Sequence, residues 1–129
     1  MADARLITGL RQVAQRIEDL DRAVQFYEEV LGGRLIARFD PPGFAFFDLG
    51  GVRLLLERGA PVAMLYLAVP DVEAAASELT ARGVVFEGEP HVIFTDDGGL
   101  FGPPGGEEWM AFFRDSEGNL VGLSSRRTP

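Results

Sequence analysis

The sequence predicts an α+β fold of two tandem βαβββ modules that form a curved mixed sheet around a pocket, with helices on the outer face. Three observations carry the prediction. Two amphipathic helical patterns each begin at an Asp suited to capping, Asp19 and Asp71. A short apolar run precedes each of them. Three strand-like runs follow each of them.

The first run is a strand over about Arg11–Ile17. After Asp19, apolar residues fall at Leu20, Ala23, Val24, Tyr27, Val30 and Leu31, the stripe of one helix face, and Gly32-Gly33 ends the pattern. Phe26 and Tyr27 read as core on the sheet-facing side. Three strands follow, Arg34–Phe39, Phe44–Leu49 and Val52–Glu57, with Gly50-Gly51 as a hairpin turn. The plan then repeats. A strand over Ala63–Val69 precedes a helix with Val72, Ala75, Ala76 and Leu79 on one face, ended at Gly83. Strands follow at Val84–Phe94, Glu108–Phe113 and Asn119–Ser124, the last two joined by a turn at Ser116-Glu117-Gly118-Asn119. One domain, 1–129, thus holds module one at about 8–60 and module two at about 61–127.

One segment breaks the symmetry. Thr95–Glu107 holds five Gly and two Pro in 13 residues and is expected to lack regular structure, as a flap or a disordered insert. Leu100 and Phe101 at its centre favour a flap that docks on something apolar.

Composition narrows the function. The chain has 129 residues, 47% of them hydrophobic, and at that size it buries roughly two-thirds of its unfolded surface. Lys and Arg number 12 against 20 Asp and Glu, a net charge of -8. That balance argues against a nucleic-acid partner and against an anionic membrane. With no Cys, disulfides, thiolate metal sites and a Cys nucleophile are excluded. The first residues lack a leader pattern and no apolar run is long enough to span a bilayer, so a cytoplasmic protein is expected. No Ser-His-Asp spacing, P-loop or G-x-G-x-x-G signature supports nucleophilic hydrolysis or nucleotide binding.

Two motifs carry a family resemblance. Asp19-Leu20-Asp21-Arg22-Ala23-Val24-Gln25-Phe26-Tyr27 leads to Leu31-Gly32, and Phe113-Arg114-Asp115-Ser116-Glu117-Gly118-Asn119-Leu120 forms a hairpin. The chain resembles the vicinal oxygen chelate superfamily, which includes glyoxalases, epimerases, fosfomycin-resistance proteins, extradiol dioxygenases and bleomycin-binding proteins. Ser116 stands where the family's hairpin usually has Pro. The resemblance implies a homodimer and a pocket in which a divalent ion polarises a substrate oxygen. It places the metal ligands at Gln12, Leu55, Met64 and Gly122. Only Gln12 is a usual donor, and Glu57, two residues beyond Leu55, lies on the same strand face. No metal and no cofactor is therefore expected.

With Gln12 and Leu55 facing inward, strand alternation brings Arg16, Arg53, Glu57, Phe44 and Phe46 to the same side in module one. In module two the matching set is Met64, Tyr66, Glu108, Met110 and Phe112. Aromatic and thioether walls with few polar groups suit a flat apolar or cationic ligand. The same residues could equally fill the sheet's concave side as core, with the charged ones on a solvated rim. Trp109 has core-facing parity, although a folded-over loop would let it close the pocket mouth. His91, read near a strand end, is the one histidine and a surface residue on this reading. Asp96-Asp97 and Glu107-Glu108 flank the flap; paired acids there could attract a cation, although loop acids are more often solvated.

The leading functional expectation is a metal-independent protein that sequesters an aromatic or cationic metabolite or drug, as bleomycin-binding relatives do. The alternative is a glyoxalase-like lyase, isomerase or epimerase, either metal-free through Glu57, Glu108 or His91, or with a metal at Gln12 and Glu57. A structural module with a filled groove is the remaining possibility.

Overall fold

The computed structural model describes residue 6 and residues 8–129. The reading of a leader-free start rests partly on residues 1–5 and 7, which lie outside the described residues. The chain divides after Ala63 into two compact units, and each has the βαβββ plan.

The first unit contains β1 (Gln12–Arg16), α1 (Leu20–Gln25), β2 (Arg34–Phe39), β3 (Phe44–Leu49) and β4 (Val52–Glu57). The sheet order is β1-β4-β3-β2, with β1 parallel to β4 and the other pairs antiparallel. Asp19 caps α1, its Oδ1 accepting the Arg22 N–H at 3.0 Å. The helix departs from the single regular helix expected up to Gly32. After Gln25 it widens into a π-helical turn over Phe26–Val30, and the Leu31 N–H reaches the Phe26 carbonyl at 3.0 Å. Gly32 then reverses the chain at φ +74°, and the Gly33 N–H donates to the Tyr27 carbonyl at 2.8 Å. A Cβ at Gly33 would stand 2.8 Å from that carbonyl and 3.2 Å from the Phe47 ring, so only glycine permits the approach.

Helix α1 packs over β3 and β4. Leu20, Ala23, Val24 and Tyr27 meet the alternate strand residues Ala45, Phe47, Leu54 and Leu56, all buried. The Tyr27 core reading is correct, while Phe26 is half-buried. Gln15 shares this covered side and is 0% exposed. Its Nε2 donates to the Ala63 carbonyl at 2.9 Å, and its Oε1 accepts the Ala63 N–H at 2.8 Å. A buried amide is tolerated there because both of its ends are satisfied.

The second unit contains β5 (Leu65–Ala68), α2 (Val72–Ala81), β6 (His91–Asp96), β7 (Gly106–Arg114) and β8 (Leu120–Arg127), in the order β5-β8-β7-β6. Strand β5 runs parallel to β8. Asp71 caps α2 through the Ala74 N–H at 3.2 Å, and α2 packs over β7 and β8. The β7–β8 turn is held by Asp115, whose Oδ1 accepts the Glu117 N–H at 2.9 Å and the Asn119 N–H at 2.8 Å. Phe113, Ala111, Val121 and Leu123 are the buried row beneath α2.

Several boundaries differ from expectation. β5 is shorter, and Met64 lies outside it. The run 84–94 is not one strand. Phe86 makes a single bridge to Phe113, and β6 begins only after Pro90, which has no N–H to give a ladder. His91 therefore opens a strand instead of closing one. β7 and β8 extend beyond their expected ends and absorb 95–96 and 106–107 with their partners, so the loop contracts to 97–105. Among the described residues, no helix is long and apolar enough to cross a membrane.

Candidate functional site

Register places the expected residues on the sheet faces away from the helices. In the first unit, Gln12 pairs with Arg53, Ala14 with Leu55 and Arg16 with Glu57 across β1 and β4. Phe46 pairs with Leu55, and Phe44 with Phe39. Directly opposed residues share a face, so Gln12, Arg16, Phe44, Phe46, Arg53, Leu55 and Glu57 stand together on one side. Polar groups gather at one end, where Arg53 Nε donates to Gln12 Oε1 at 3.0 Å and Arg34 meets Asp48 at 3.5 Å. The middle is apolar, with the Phe39 and Phe46 rings edge-on at 6.0 Å.

In the second unit the corresponding face is built on Gly122. Tyr66 and Phe112 flank it on β5 and β7. Their rings close over the bare backbone edge-on, with centroids 6.4 Å apart. A Cβ on Gly122 would lie 3.0 Å from Phe112 Cε1 and 3.1 Å from Tyr66 Cδ1. The next row holds Ser124, Met110 and His91, and the row beyond it Arg126, Glu108 and Phe94. Tyr66, Glu108, Met110 and Phe112 are thus together as expected. Met64 precedes the strand and has no place in these pairings. Trp109 occupies the opposite, helix-side row with Ser125 and Val92. Arg127 lies 4.2 Å over its ring, an attraction of cation for ring face. That placement agrees with its core-facing parity.

The sequence reading missed Asp96 and Arg126. Asp96 was expected to be solvated, yet it is 0% exposed. Its Oδ1 accepts the Leu100 N–H at 2.7 Å and its Oδ2 the Phe101 N–H at 2.9 Å. Arg126 approaches the same carboxylate at 3.1 Å, donates to Glu108 Oε2 at 2.8 Å and reaches the Pro103 carbonyl at 2.6 Å. The Phe101 N–H bond is the main reason that the Asp96 carboxyl sits below the usual carboxylate range; burial opposes this, and the Leu100 N–H and Arg126 reinforce it. For Arg126, burial works against the charge, and the bonds to Glu108 and Asp96 outweigh it, holding the guanidinium above its usual range. A signal existed: continuing the β8 alternation past Ser124 puts Arg126 on the Gly122 face.

The donor set does not fit a divalent ion. Leu55 and Gly122 offer no donor atom, and the Gly122 position is closed over by two rings. Gln12 is already bonded to Arg53. Among the described residues, no group of three or more His, Asp or Glu side chains could hold a metal. Two of the acid/base candidates already have partners. Glu108 is paired with Arg126, and His91 Nδ1 lies 3.0 Å from the Glu89 carbonyl. A separate polar cleft of about 380 Å³ is lined by Glu18, Asp19, Asp21, Arg38, Asp40 and Arg58. It contains none of the expected site residues, and Arg38 is bonded there to Asp21.

Known structures with the same fold span nearly the whole chain. An integron cassette protein from V. cholerae shares 21% identity with a TM-score of 0.72, covering 95% of this chain and 98% of that one. A lactoylglutathione lyase from Agrobacterium tumefaciens shares 21% identity with a TM-score of 0.70, covering 93% and 95%. TnmS3, an antibiotic binding protein from Streptomyces sp. CB03234, shares 26% identity with a TM-score of 0.66, covering 92% and 96%. No curated protein matches the chain. The model of the Glyoxalase/Bleomycin resistance protein/Dioxygenase superfamily matches residues 9–123, and with its two βαβββ units the chain belongs to that superfamily.

Proposed function

We propose that this protein binds a flat organic small molecule, apolar or cationic, without a metal, and sequesters it. The observation that carries the reading is the row Tyr66–Gly122–Phe112. Where the family resemblance puts a metal-ligating side chain, this chain has bare backbone under two rings. Ring faces and edges grip planar ligands through dispersion and their quadrupoles. Met110, in the next row of the same face, supplies adaptable apolar surface, and the net charge of -8 favours a cationic guest over an anionic one. The antibiotic-binding relative supports this reading over the lyase.

The test is a fluorescence titration with acridine orange, a planar cation, backed by calorimetry against a panel of aromatic natural products. Saturable binding that weakens about tenfold or more in Phe112→Ala is expected. Absence of binding across the panel would sink the proposal. We also propose a homodimer working in the cytoplasm; a monomeric mass by light scattering at micromolar concentration would refute the dimer.

A further inference from the structure

The β6–β7 loop is anchored in an unusual way. Its backbone is tied down by a buried carboxylate, Asp96, through the Leu100 and Phe101 N–H groups. Arg126 clamps the other side, against Asp96 and the Pro103 carbonyl. Gly102 and Gly106 leave room for the guanidinium, since a Cβ at either would lie under 3.0 Å from it. Burying an ion pair carries a desolvation penalty, and here Arg126 Nε is buried with no partner. Yet this anchoring leaves most of its two large apolar side chains uncovered. It holds Leu100 75% and Phe101 69% exposed. A loop rigidly fixed to present two large apolar side chains to solvent is built to contact something.

The direction of presentation is specific. Phe94 pairs with Glu108, on the face that carries Tyr66, Phe112 and Met110. The Phe101 ring sits edge-on to Phe94 at 6.0 Å. Phe101 therefore adds a second aromatic pair to that face, two rows from Tyr66 and Phe112, at the end where the loop leaves the sheet. We propose that Asp96 is a positioning residue: by fixing the loop backbone at Leu100 and Phe101 it seats Phe101 on Phe94, and the pair forms a second contact for a planar aromatic ligand. This rests on the reading of the Tyr66–Phe112 face as a ligand surface.

The experiment is acridine orange titration of the full chain and its variants, with Trp109 emission and Tm as fold controls. Phe101→Ala should weaken binding about three- to tenfold at unchanged Tm, and Phe101→Trp should retain it. Asp96→Asn should weaken binding as Phe101→Ala does. In the double variant the two losses should not add, because both remove one placed ring; a purely structural Asp96 would give additive losses. If Phe112→Ala weakens binding while Phe101→Ala does not, the loop contact is wrong and the ligand face stands. If neither variant weakens binding, or the parent protein does not bind, the ligand face fails and this inference with it. Additive losses overturn the positioning role alone. Should Asp96→Asn fail to fold, the contrast between Phe101→Ala and Phe101→Trp decides the loop contact.

Discussion

Gly122→Ala is the sharpest single perturbation of the candidate site. The new Cβ would stand 3.0 Å from Phe112 Cε1, 3.1 Å from Tyr66 Cδ1 and 3.3 Å from Phe112 Cδ1. Each ring must then retreat by a few tenths of an ångström. Phe112 is half-buried and constrained, while Tyr66 is 55% exposed and swings aside more easily. Overpacking of this kind costs about 1–3 kcal/mol. Replacing a strand glycine by alanine returns about 0.5–1 kcal/mol by restricting the unfolded chain. The net loss is about 0–2.5 kcal/mol, a fall in Tm of at most about 10 °C by calorimetry. Binding should suffer as well, since the edge-on geometry of the two rings is lost. We expect acridine orange affinity to fall about tenfold, or about 1.4 kcal/mol. A folded Gly122→Ala protein binding within about twofold of the parent would refute the assignment of the ligand to this row.

Other outcomes follow from single contacts. Gln15→Met fills similar volume but strips the Ala63 N–H and carbonyl of their partners; chemical denaturation should show a loss of about 1–3 kcal/mol, the Ala63 backbone being half-buried. Asp71→Ala removes the α2 cap and should cost about 1 kcal/mol in the same assay. Because the folded Asp96 pKa is depressed, its contribution is complete above the unfolded value of about 3.9 and is lost as pH falls through the lower folded value. Amide NMR shifts of Leu100 and Phe101 should therefore titrate below about pH 4, and Asp96→Asn should abolish that titration. Adding a chelator should leave acridine orange affinity unchanged, because the Gln12, Leu55 and Gly122 positions do not supply a donor set; a chelator-dependent loss of binding would contradict this.

Much of the local architecture was readable along the chain. The bounds of β2, β3 and β4 agree with the apolar runs because glycines and prolines flank them closely. Asp19 and Asp71 announced both helix starts because a cap is a local interaction over three residues. Alternation sorted Gln12, Leu55, Phe46 and Phe112 to the sheet faces away from the helices because strand period fixes parity once one residue is placed. The failures were of another kind. Pro90 delayed β6, and β7 with β8 ran on past their apolar cores through Glu107, Glu108, Arg126 and Arg127, where cross-strand charge pairs replace hydrophobic alternation as the signal.

Sequence by itself determined the duplicated βαβββ plan, the helix caps and the side of each sheet on which a residue stands, since all of these follow from periodicity and nearest-neighbour chemistry. Tertiary structure alone decided that Tyr66 and Phe112 meet over Gly122, and that Asp96 is buried with Arg126 to hold Leu100 and Phe101 in water. Both depend on strands distant in the chain coming into register, and no local pattern encodes what a side chain will find opposite it.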